Sequence, residues 1–152
     1  MSLAVAITGT RQTGHREPGE IGDLFGRYLA PWATPAARFS VGGARGIDSL
    51  SLLWLAGNTS SHLTVVVPCT VARQPPEARQ AIERCRDRLD AVVELGAAEP
   101  RTPAFHARNR WMVDRADLVI GFPLADTEDG SGTWQTLDYA AEQGKPRLIV
   151  PL

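Results

Sequence analysis

Six short apolar runs, separated by five segments of helical pattern, constrain this chain more than any other feature. The runs are Leu3–Thr8, Ala37–Val41, His62–Val67, Ala91–Leu95, Asp117–Phe122 and Arg147–Val150. Runs this short and this apolar suit strands buried on both faces of a sheet. Between them the apolar period changes. From Glu20 onward, Ile21, Leu24, Phe25, Tyr28, Leu29 and Trp32 recur at three- and four-residue steps. A second helix is predicted over Ile47–Ala56, closed by Gly57, and a third opens at Pro76 and runs to about Leu89. Ala104–Arg115 and Thr133–Gln143, the latter closed by Gly144, supply the fourth and fifth. Strict alternation of strand and helix implies a mainly parallel six-stranded sheet with right-handed crossovers and helices on both faces. The expected fold is therefore a Rossmann-like three-layer α/β/α sandwich, with residues 1–152 forming one domain. In such sheets a ligand sits beyond the carboxyl ends of the strands, where strand order reverses.

Composition narrows the partners. The formal net charge is −1, which argues against a surface built mainly to hold duplex nucleic acid, though a local basic patch is compatible with it. Cys69 and Cys85 lack metal-ligand spacing and read as free thiols of a reducing compartment. Leu3–Ile7 is too short for a signal peptide or a membrane span. A cytoplasmic protein without membrane attachment is expected.

Three loops that follow strands carry glycines to the predicted ligand edge. Gly42-Gly43-Ala44-Arg45-Gly46 joins the second strand to the second helix. Glycines there allow close backbone approach, and the helix N-terminus offers N–H groups and a positive dipole end to a phosphate. Arg45 suits a phosphate or sugar; Asp48, in the first helical turn, suits a ribose hydroxyl or simply complements the dipole. Gly130-Ser131-Gly132-Thr133 opens the fifth helix and offers both an anion site and an N-cap. Gly9-Thr10-Arg11 follows the first strand, with Arg11 suited to a phosphate or a base. Arg108 and Asn109 open the fourth helix with anion-binding and bridging chemistry, while His106 reads as structural. Asp126, Glu128 and Asp129 form an acidic loop, read as solvated rather than as a metal site. No nucleophile–base arrangement stands out, and no metal or cofactor is required.

With these residues in view, the chain resembles the SLOG superfamily of Rossmann-like proteins, which includes the DNA-processing DprA (Smf) proteins, the LOG phosphoribohydrolases and small YpsA-like members. Ser40–Asp48 looks like DprA's serine-glycine-glycine-alanine-x-glycine-isoleucine-aspartate stretch, and Phe105–Arg110 like its phenylalanine-proline-x-arginine-asparagine-arginine stretch. Gly9-Thr10-Arg11 takes the place of the glycine-serine-arginine after strand one, and Gly130–Thr133 that of the glycine-rich phosphate loop. Arg108–Asp114 with Ala116–Ile120 is closer still to the YpsA-like members. The resemblance implies nucleotide-type binding and a homodimer or higher homo-oligomer. Its glycosidase branches carry a glutamate where this chain has Gln135 and Thr136, and cleavage of an N-glycosidic bond needs such a carboxylate. Asp48 and Asp138 are the remaining candidates for that role. The expectation is thus a binding protein for a nucleotide or related phosphorylated ligand, acting as sensor or carrier. The alternatives are a nucleoside-5′-monophosphate N-glycosidase and a DprA-like binder of single-stranded DNA.

Overall fold

The computed structural model describes residues 2–125 and 131–152. It contains β1 (Ala4–Gly9), α1 (Pro18–Tyr28), β2 (Arg38–Gly42), α2 (Ile47–Asn58), β3 (His62–Val67), α3 (Pro76–Arg84), β4 (Leu89–Glu94), α4 (Thr102–Asp114), β5 (Leu118–Phe122), α5 (Gly132–Glu142) and β6 (Arg147–Ile149). The six strands form one sheet in the order β4-β3-β2-β1-β5-β6, and every neighbouring pair is parallel. The chain therefore builds outward from β1 to β4, crosses back, and adds β5 and β6 on the other side of β1.

Right-handed crossovers turn that reversal into two layers. Val5 and Ile7 of β1 join the core under α1–α3 with Phe25, Phe39, Leu55 and Ile82. Ala6 faces the other way and packs with Met112, Val113, Val119 and Leu137 under α4 and α5. Alternate residues of one strand thus serve opposite cores, as strand geometry requires. Central β5 is buried along its whole length, while edge strand β4 has no fully buried residue. Gly121 matters to this packing, because a Cβ there would lie 2.7 Å from a methyl of Leu137.

Several boundaries differ from the sequence expectation. The second helix does not stop at Gly57; it runs to Asn58 and is closed by Thr59, whose hydroxyl donates to Leu55 O at 2.7 Å. The third helix ends at Arg84, five residues early. Arg88 instead reaches across to the carbonyls of Thr59 and Ser61 at 2.9 and 3.2 Å, so a tertiary contact overrides the helical pattern. The fourth helix starts at Thr102, with Pro103 in its first turn, where a missing N–H costs nothing. His62, at the start of a buried strand, is itself exposed and pairs with Asp90 on β4. Among the described residues no helix is long and apolar enough to cross a membrane.

Candidate functional site

A cleft of about 390 Å³ opens at the carboxyl edge of the sheet, around β1. Its walls are the end of β1 and the loop after it (Thr8–Gln12), Gly42, Ala44 and Asp48 around the start of α2, the first three turns of α4, and the start of α5. On α4 the lining residues Thr102, Phe105, His106, Arg108, Asn109 and Met112 recur at three- and four-residue steps, so one face of the helix forms the wall.

The glycine turn after β2 is shaped by packing. Gly46 has φ +75°, a left-handed conformation, and a Cβ there would lie 2.5 Å from Thr10 O. A Cβ on Gly9 would lie 2.4 Å from the side chain of Ile47, and one on Gly43 would lie 2.7 Å from Val67 Cγ1. These glycines let the loops after β1, β2 and β3 close on one another. The turn's donors are also engaged. Ala44 N–H donates to Asp48 Oδ2 at 3.2 Å, Gly46 N–H to Glu77 Oε2 at 3.2 Å, and Ile47 N–H to Thr10 O at 3.1 Å. Gln74 Nε2 donates to Gly43 O. Of the expected ligand residues in this turn, Gly42 alone borders the cleft; Gly43, Arg45 and Gly46 lie outside its lining, with Arg45 exposed.

Gly42 explains how the cleft acquires its floor. A Cβ at this position would lie 2.6 Å from Arg108 Nη1, so the absent side chain is the space the guanidinium fills. Arg108 is 4% exposed. Its Nε donates to Asn109 Oδ1 at 2.7 Å and its Nη1 to Val66 O at 3.5 Å. Burial lowers the Arg108 pKa, opposed by the carboxylate of Asp48. Burial in turn pushes Asp48 up to about 6, against the pull of Arg108, the Ala44 N–H and Arg11. Asp48 and Arg108 thus form a desolvated pair of opposite charges beneath the cleft. At the mouth, exposed Arg11 lies over the ring of Phe105, 5.2 Å from its centroid.

The α5 wall combines a cap with a polar lining. Ser131 is the N-cap, its Oγ accepting from Trp134 N–H at 3.2 Å, and Gly132 and buried Thr133 border the cleft. Thr136 donates its hydroxyl to Gly132 O at 2.8 Å and does not reach the cleft, whereas Gln135 does. The two candidate carboxylates separate: Asp48 borders the cleft, while exposed Asp138 lies in a second hollow between α4 and α5. Gly130 and the acidic residues Asp126, Glu128 and Asp129 lie outside the described residues. Among the described residues, no three His, Cys, Asp or Glu side chains converge as a metal-binding group. The sequence reading overlooked Phe105, Met112 and Gln12 as lining residues and took His106 as structural. For Phe105, His106 and Met112 the signal was the spacing of 105, 106, 108, 109 and 112 along one helix face; Gln12, in the loop after β1, had no such signal.

A family model described as DNA recombination-mediator protein A matches residues 2–152. The chain belongs to this family. The resemblance carried by Ser40–Asp48 and Phe105–Arg110 is therefore a family membership, and the DprA family is one of Rossmann-like proteins. Among solved structures, DNA processing protein A from Helicobacter pylori, described for its single-stranded DNA binding mode, is similar with a TM-score of 0.71 and 24% identity. That match covers 99% of this chain and 66% of the H. pylori chain, just under two thirds of the latter. It shows a shared fold. No curated protein matches the chain.

Proposed function

We propose that this DprA-family chain binds single-stranded DNA, with the cleft seating a backbone phosphate and an adjoining base. The observation that carries the reading is the stacked pair of Arg11 and Phe105 at the mouth, above the buried guanidinium of Arg108. A cation beside a planar ring is the pairing that single strands use, one for the phosphate and the other for an unstacked base. The H. pylori relative, described for binding single-stranded DNA, supports the same reading. Because the whole chain carries a net charge of −1, attraction comes from this local cluster and involves few phosphates. Each phosphate neutralised contributes a slope of about −0.7 in log affinity against log salt.

Fluorescence anisotropy with a labelled oligonucleotide over a salt series tests this. Affinity is expected to fall with salt, and Arg11→Ala, an exposed change, is expected to weaken binding roughly tenfold by removing one charged contact. No anisotropy change at low salt, or an unaltered Arg11→Ala variant, would refute the reading.

A second reading, an intact free nucleotide in the same cleft, is favoured by the cleft's volume of about 390 Å³, which falls within the roughly 300–1,000 Å³ of small-ligand sites. Incubation with a nucleotide pool separates the outcomes: retained nucleotide supports carriage, and released base points to glycosidic cleavage with Asp48 as the carboxylate. Trp32, 37% exposed, is the large apolar side chain open to solvent among the described residues and a contact for the expected homo-oligomer. Light scattering of wild type and Trp32→Lys would show whether it is used.

A further inference from the structure

We infer that the hollow between α4 and α5 is a nucleobase subsite that selects bases bearing an exocyclic amino group. The inference rests on the single-strand reading above. The hollow has a volume of about 320 Å³ and adjoins the cleft through a shared rim: His106, Asn109 and Gln135 line both. A strand seated in the cleft by one phosphate therefore meets this hollow next as it passes over the rim.

The charge of the hollow states which part of a nucleotide it takes. Asp138 and Glu142, one turn apart on α5, face a single guanidinium, Arg110 of α4. Two carboxylates against one cation repel a phosphate, so the phosphate belongs in the cleft and the base in the hollow. The planar members of the lining are His106 and Tyr139, which suits a flat occupant. Tyr139 is held in place because its hydroxyl donates to Asp114 Oδ1 at 2.6 Å. Carboxylates accept from amino groups, as they do from cytosine N4. Thymine has no amino group, and its O4 would face the carboxylates acceptor to acceptor. Asp138 thus acts in base selection, away from the cleft, rather than as a catalytic carboxylate.

The test compares homopolymeric dC and dT oligonucleotides of equal length, single rings that differ in amino against carbonyl at one position. Wild type is expected to bind dC roughly five- to tenfold more tightly, the net worth of one hydrogen bond at an exposed site. Asp138→Ala, and more fully Asp138→Ala with Glu142→Ala, should abolish the preference for dC over dT, with dT binding held or strengthened as the repulsion of its O4 is relieved. Both positions are exposed, so the fold is expected to persist. Equal wild-type affinity for the two strands overturns the inference while leaving the single-strand reading standing. A preference that survives the double substitution also overturns it. Binding of neither strand overturns both.

Discussion

The glycine turn after β2 and the first turns of α4 face each other across one cleft, yet they direct their polar groups oppositely. The turn points inward: two of its N–H groups and that of Ile47, which opens α2, are bound by Asp48, Glu77 and Thr10, and Gly43 O accepts from Gln74. Its glycines are spaces that neighbouring segments fill. The α4 wall, with the loop after β1, points outward, bringing Phe105, His106, Asn109 and Arg11 to the cleft lining. Arg108 belongs to both, buried under Gly42 and yet part of the cleft floor. The lesson is that a glycine-rich turn at the expected ligand edge can be scaffold, packed around an arginine that another element brings to the cleft.

Substitutions that damage each side should separate these roles. The largest effect is expected at the residue they share. Arg108→Ala empties the space over Gly42 and strips Val66 O of its donor, at a cost of about 3–5 kcal/mol, and should also abolish strand binding. Urea denaturation and anisotropy measure the two losses. Next, Gly46→Ala combines a left-handed backbone with a clash against Thr10 O and should cost about 3 kcal/mol. For a chain of this size that lowers Tm by roughly 6–12 °C. A wild-type Tm would show that the turn is not tightly packed against the loop after β1.

The Asp48 carboxyl gives the comparison a pH signature. Its folded pKa of about 6 stands above the ordinary 3.8, so between these values the folded state holds a proton that the unfolded chain has released. The stabilisation from this group is complete below pH 4, declines as pH rises toward 6, and is absent above. The rise from 3.8 to about 6 corresponds to a change on the order of 3 kcal/mol. A pH series of denaturation curves should show this decline in wild type and lack it in Asp48→Asn. Identical pH profiles would mean that Asp48 is solvated in solution. The smallest effect is expected at the α5 wall: Ser131→Ala removes the N-cap and should cost about 1 kcal/mol, read as a small fall in Tm.

The fold was legible because its signals are local. Apolar runs of strand length alternating with helical periods leave few arrangements, and the observed all-parallel sheet is the expected one. The residues near the cleft were legible in part. Gly9, Thr10, Arg11, Gly42, Asp48, Arg108, Asn109, Ser131, Gly132 and Thr133 do converge there. Gly43, Arg45 and Gly46 belong to the same motif but lie outside the lining, because a motif does not say which of its atoms are already bonded to neighbours. Gly46 illustrates this: its partners, Thr10 and Glu77, come from other loops.

Sequence alone therefore determined the alternation of elements, the two-sided burial of the sheet and the edge at which its loops gather, since each follows from side-chain pattern and strand–helix handedness. Only the tertiary structure decided which donors are consumed and which cation lies against backbone. It also divided Asp48 from Asp138, placing one beneath the cleft and the other in the neighbouring hollow. The physical reason is that these outcomes depend on contacts between segments far apart in the chain. Whether an N–H, a carboxylate or a guanidinium is available to a ligand is set by what the fold packs against it.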